Sequence, residues 1–229
     1  MIINKVFIDC ETLPPVIDLE EFKANLQPPG NITKEETKKA WIENNWEEKY
    51  KRMAVDTSLA NICSIAFSVN EQDTKGFISA DRDEKFVLNS FKEELLKCAR
   101  IELDDDIDLE FKKDYFIWIG FNNKKFDMDL IWKRAMHHGL YDLARLIPRE
   151  RYSKNIIDLM EVWNPFDSNK FISFDEVCRF FGFAAKENDI DGSKVYDMFQ
   201  NKQFSEILDY NISDVEKVKK LYKIINNGL

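Results

Sequence analysis

Apolar positions fall into short runs divided by polar stretches, and the spacing within each run predicts its element. Residues 2–8, Ile-Ile-Asn-Lys-Val-Phe-Ile, are rich in β-branched and aromatic side chains and read as a buried strand. Residues 61–69 give a second strand and 75–80 a third. Between 84 and 99 the spacing lengthens, with Phe86, Val87, Phe91, Leu95 and Leu96 repeating at helical intervals. Tyr115 to Ile119 forms a fourth strand ending at Gly120, a helix follows over about 127–138, and 155–159 is a short fifth strand. This order predicts an α/β protein with a central sheet of about five strands flanked by helices.

Residues 14–60 interrupt that plan between the first two strands and predict a helical insertion in a single domain spanning 1–229. Pro-Pro pairs stand at 14–15 and 28–29, and Thr33-Lys34-Glu35-Glu36 predicts a capping box opening a charged helix to about 53. Trp46, Tyr50 and Met53 share one side of it. They clamp the helix on the core or, as the second reading, form a flap whose rings stack on bases. The C-terminal third is helical. Ser173-Phe174-Asp175-Glu176 predicts another capping box, Phe174, Val177, Cys178 and Phe181 an apolar face, and Gly182 its stop. A long helix from 203 carries Phe204, Leu208, Val215, Val218, Tyr222 and Ile225 as core positions. There is no internal repeat or low-complexity linker.

Composition narrows the chemistry. The net charge of −9 over 229 residues argues against a nonspecific nucleic-acid coat, but not against an enzyme whose metal ions offset its acids. The four cysteines lack zinc or disulfide spacing, and with no secretory or membrane-spanning segment they predict a cytoplasmic protein with no membrane association. Seven glycines provide no phosphate-cradling loop, and there is no G-x-S-x-G. His137 and His138 diverge on a helix and make a poor metal pair. The acidic stretch Glu102 to Glu110 lacks the glycine and terminal glutamate of a calcium loop and reads as a solvated loop.

Four acids and a phenol remain. Asp9 and Glu11, two apart at the end of the first strand, share a face roughly 7 Å apart and repel unless a hard divalent cation joins them. Asp127 follows strand four at the start of a helix; Asp129 competes with it, but the Phe126-Asp127 pairing favours Asp127. Tyr210 and Asp214 are i and i+4 on the last helix. Such carboxylates can hold two cations about 4 Å apart for phosphodiester hydrolysis, and the phenol can orient water or help remove its proton. Asp158 reads as a structural strand-end residue rather than an assisting acid.

In this order the motifs resemble the DEDD 3′→5′ exonucleases of ribonuclease H-like fold, tyrosine subclass. The likeness is greatest to predicted exonucleases related to the proofreading domain of family B DNA polymerases. D-x-E falls on Asp9 and Glu11, N-x-x-x-F-D on Asn122, Phe126 and Asp127, and Y-x-x-x-D on Tyr210 and Asp214. The segments P-P-G-N-I and D-G-S-K-V (191–195) also resemble that subgroup, whereas Phe121 replaces a frequent His before the Asn. Asp209 stands where the histidine subclass has its base, which excludes that subclass.

The resemblance implies a ribonuclease H-like mixed sheet and two divalent cations, Mg²⁺ or Mn²⁺, held by Asp9, Glu11, Asp127 and Asp214. Tyr210 positions water, while Asn122 and Phe126 contact substrate. The implied substrate is single-stranded nucleic acid, DNA ahead of RNA, with release of nucleoside 5′-monophosphates. The implied roles are DNA repair, replication-associated trimming or nucleic-acid turnover, with replication or repair proteins as partners. Three alternatives stand beside it: a ribonuclease D-type exoribonuclease, a catalytically weak nucleic-acid-binding module, and a haloacid-dehalogenase-like phosphatase with Asp9 as nucleophile.

Overall fold

The structure is a computed structural model that describes residues 3–100, 113–150, 153–167, 171–183 and 192–227. The acidic stretch read as a solvated loop, 102–110, and Asp191 of D-G-S-K-V lie outside the described residues. Five strands form one mixed sheet among them: β1 (Asn4–Leu13), β2 (Asn61–Val69), β3 (Lys75–Ile78), β4 (Phe116–Gly120) and β5 (Ile156–Asp158). The order is β3-β2-β1-β4-β5. β1 pairs antiparallel with β2 and parallel with β4, so the pairing changes from antiparallel to parallel at the central strand. The expected α/β architecture is the one observed.

Alternation along β1 divides the core. Val6, Ile8 and Cys10 face one side, where α3 (Glu84–Ala99), α4 (Asp127–His137) and α5 (Tyr141–Leu146) cover Phe67, Phe116 and Trp118. Phe7 faces the other, beneath α6 (Leu159–Trp163), α7 (Phe174–Phe180) and α9 (Phe204–Asn227). A short α8 (Val195–Gln200) packs near the end of β1 with Leu13. On α3, Phe86 proves exposed while the neighbouring Leu88 is buried. On α9 the buried face runs through Ile207, Asn211, Val215, Val218 and Leu221, leaving Leu208 only partly covered.

The insertion folds as α1 (Leu19–Asn25) and α2 (Glu35–Lys51). The capping box expected at Thr33 does not form. Lys34 occupies the N-cap and gives no side-chain bond, because the helix begins at Glu35, one residue later than that box requires. At Ser173 both reciprocal bonds are present. Tyr50 is the fastening point of α2: its hydroxyl donates to the Pro15 carbonyl at 2.9 Å, and its ring meets Phe22 and Tyr196 edge-on. The Thr12 hydroxyl donates to the Ala54 carbonyl at 2.7 Å, tying the returning chain to β1.

Candidate active site

β1 outruns β4. Their pairing covers only Asn4–Phe7 against Phe116–Ile119, so β1 continues unpaired on that side. Asp9 and Glu11 lie in this continuation, well inside a strand that runs to Leu13 rather than at its end as the apolar run suggested. Both face α9. A register shift at Glu11/Thr12 bends the strand there, as a bulge beside a site does. α9 brings Tyr210 and Asp214 over the same spot. One carboxylate oxygen each from Asp9, Glu11 and Asp214 comes within 4.8 Å of the others.

Asp127 reaches the site differently. The Cys10 N–H would lack a partner where β1 outruns β4, and Asp127 Oδ1 accepts it at 3.0 Å. Asp127 lines the same cleft but stays outside the close group of three. Its delivery depends on the turn after β4. There Gly120 lets Asn123 pack against its Cα, where a Cβ would meet Asn123 Cβ at 2.6 Å. Asn122 takes a left-handed φ of 59°. Asp158 steadies the turn by accepting the Asn122 N–H at 2.8 Å, the Lys124 N–H at 3.2 Å and the Met160 N–H at 3.0 Å. The structure therefore gives Asp158 its structural role. Asp129 points elsewhere, bonded to Thr57, Lys133 and Arg149.

Burial and mutual repulsion set the electrostatics. Asp9 is raised well above the usual carboxylate range by burial, then by Asp127, Glu11 and Asp214. Burial likewise lifts Asp214, although Lys217 opposes this from 2.8 Å, and pushes Asp127 up to about 7. The Tyr210 hydroxyl bonds to Asp214, and burial followed by the nearby carboxylates drives its pKa upward. These hard oxygen donors, crowded and poorly solvated, suit a divalent cation such as Mg²⁺ or Mn²⁺, which would remove the repulsion. No residue of the carboxylate set is of the soft kind a zinc or copper centre favours.

The acids open into a cleft of about 920 Å³. Phe121, Asn122, Phe126, Phe174 and Tyr196 line it, with Asn44, Glu47, Glu48, Lys51 and Arg52 from the insertion. Phe121 and Phe174 stack obliquely, with centroids 4.9 Å apart. The insertion thus reaches the cleft mainly through polar residues, with Ala54 and Val55 beside them. Its buried aromatic Tyr50 holds it to the core, while Trp46 lies under the Lys23 ammonium at 4.4 Å. Sequence reasoning missed three side chains here: Asn211 and Ser64, whose bonds reach Asp9, and Lys217 beside Asp214. Only Lys217 carried a signal, its i+3 spacing from Asp214.

Carboxylates from a central strand and a final helix, meeting above a mixed five-stranded sheet, define a nuclease of the ribonuclease H-like type. The chain belongs to the family described as predicted 3′-5′ exonuclease related to the exonuclease domain of PolB, which matches residues 109–223. Its fold is similar to that of the family B DNA polymerase from the hyperthermophilic archaeon Pyrobaculum calidifontis. That likeness has a TM-score of 0.57 at 16% identity, over 97% of this chain and 24% of the polymerase. Nothing among curated proteins matches the chain. Among the described residues no helix is long and apolar enough to cross a membrane.

Proposed function

We propose that this exonuclease is of the tyrosine DEDD subclass and removes nucleotides from the 3′ end of single-stranded DNA with two Mg²⁺ or Mn²⁺ ions. The observation that carries the reading is the convergence of Asp9, Glu11 and Asp214 oxygens within 4.8 Å, beneath Tyr210, in a chain of this family. Asp9, Glu11 and Asp214 would hold the ions, with Asp127 contributing through the oxygen not bonded to Cys10. When bound, the ions neutralise charge on the reacting phosphate and acidify the attacking water.

The remaining steps fall to this chain's own groups. The Tyr210 O–H donates a hydrogen bond to Asp214, so its oxygen lone pairs are left to accept a hydrogen bond from water and orient it. The water oxygen bonds to the terminal phosphorus while the bond from phosphorus to the preceding 3′ oxygen breaks. The products are a nucleoside 5′-monophosphate and a strand whose new 3′ hydroxyl has taken up a proton. Asn122 and Phe126, on the cleft wall, would contact the departing nucleotide. Phe121 and Phe174 offer ring faces to the bases behind it.

Single-stranded DNA and matching RNA, both 5′-labelled, test this with Mg²⁺, with Mn²⁺ and with chelator. The expected result is a DNA ladder shortening from the 3′ end, abolished by chelator and by Asp9→Ala. Faster shortening of RNA would move the assignment to a ribonuclease D-type enzyme. A product pattern indifferent to metal would refute it.

A further inference from the structure

The buried face of α9 contains a neutral polar residue that packing does not explain. Asn211 is fully buried between Ile207 and Val215, one helical turn away on either side. A primary amide in that position is unfavourable unless its polar atoms are bonded, and here both ends are. The hydroxyl of Ser64, also fully buried, donates to Asn211 Oδ1 at 2.8 Å. Asn211 Nδ2 donates to Asp9 Oδ2 at 2.7 Å. Ser64 lies opposite Glu11 in the β1–β2 ladder. The relay therefore starts on the strand beside the carboxylates and returns to them through α9.

The two bonds depend on each other. With its oxygen turned toward Ser64, the amide has only its N–H₂ to offer Asp9. The donor is neutral, so it fixes one Asp9 oxygen without cancelling the negative charge a cation needs. Asp214 is treated differently, since Lys217 brings it a full positive charge.

We propose that Asn211, oriented by Ser64, is a positioning residue that presets the Asp9 carboxylate for ion binding. The proposal rests on the metal-dependent reading above and names a residue outside its acids and phenol. Asn211→Leu retains volume and helical preference while deleting the donor, and Ser64→Ala frees the amide to turn. Mn²⁺ affinity is read from the free-ion paramagnetic resonance signal, and thermal melting is followed in chelator.

Asn211→Leu should melt somewhat lower than wild type in chelator, since the buried Ser64 hydroxyl loses its acceptor, yet in its folded form bind Mn²⁺ about 10–100-fold more weakly, the usual effect of losing a partner behind a ligand. Ser64→Ala should shift affinity in the same direction by less. The double variant should bind no more weakly than Asn211→Leu, because the serine acts through the amide. Wild-type Mn²⁺ affinity in folded Asn211→Leu would overturn the proposal while leaving the metal-dependent reading intact. If Asn211→Leu does not fold, unchanged affinity in Ser64→Ala overturns it instead. A wild-type protein that takes up no Mn²⁺ would overturn both.

Discussion

The two faces of the sheet treat buried acids in opposite ways. On the α3–α4 side, Glu84 is enclosed by its own partners. It accepts the Ile62 N–H at 2.6 Å, the Arg134 guanidinium through Nε at 2.7 Å, and His138 Nε2 at 2.7 Å. On the α9 side, Asp9 and Glu11 are brought against Asp214, with Asp127 close by. The first face is neutralised from within the chain, whereas on the second Lys217 at Asp214 does not offset the repulsion among the acids around Asp9. Asp127 and Asp129 show the divide within one helical turn. Burial would raise Asp129, but bonds from Lys133, Thr57 and Arg149 outweigh it and hold the carboxyl below its ordinary range. Asp127, for which burial outweighs the bonds from the Cys10 N–H and its own backbone, is pushed up to about 7. Burial alone does not make an acid reactive; what matters is the sign of what surrounds it.

The largest way to break the contrast is Asp214→Asn, which should lower 3′-end removal by at least about 10³-fold, on the scale of losing one preorganised charged group. It should also leave the chelated protein as stable as wild type or more so, since one of the repelling charges is gone. Degradation rates on labelled DNA together with urea melts in chelator check both halves. Glu84→Ala should do the reverse. It leaves the half-buried Arg134 without its Glu84 partner and orphans the Ile62 N–H, costing about 3 kcal/mol of stability, measured by urea unfolding. Activity per folded molecule should change little.

A smaller effect separates the faces by pH. Asp127 binds its proton more tightly in the folded protein, so its contribution is fully present below the ordinary carboxylate pKa of 3.8 and is lost as pH rises through about 7. Asp9 and Asp214 shift the same way. Asp129 has the opposite sign, its contribution being lost as pH falls through its depressed value. The chelated protein should therefore have a lower urea midpoint at pH 8 than at pH 5, and Mn²⁺ should abolish that fall. A midpoint that rises between those pH values in chelator would contradict the picture of the acidic face.

Much of this was legible in the chain because period and spacing are local properties. The strands were found from β-branched runs, and Tyr210 and Asp214 from their separation by one helical turn. What was not legible depended on pairing partners. That β1 continues past Asp9 follows from β2 remaining alongside it to Asn61, which no feature of residues 2–8 reports. The unformed cap at Thr33 turned on a one-residue shift of a helix start. Asn211 looked like any polar residue on a helix, since nothing local reveals that Ser64, far earlier in the chain, will meet its oxygen. Asp158 could be read as structural, but its three backbone partners became visible only once β5 lay beside β4.

The insertion leaves the sheet at Leu13 and re-enters at Asn61, and those residues face each other across the β1–β2 ladder. Its two ends are thus fixed side by side whatever lies between them, and closure entropy grows only slowly with the length enclosed. A change in the length or charge of this cleft wall is therefore expected to leave the strand carrying Asp9 and Glu11 in its place.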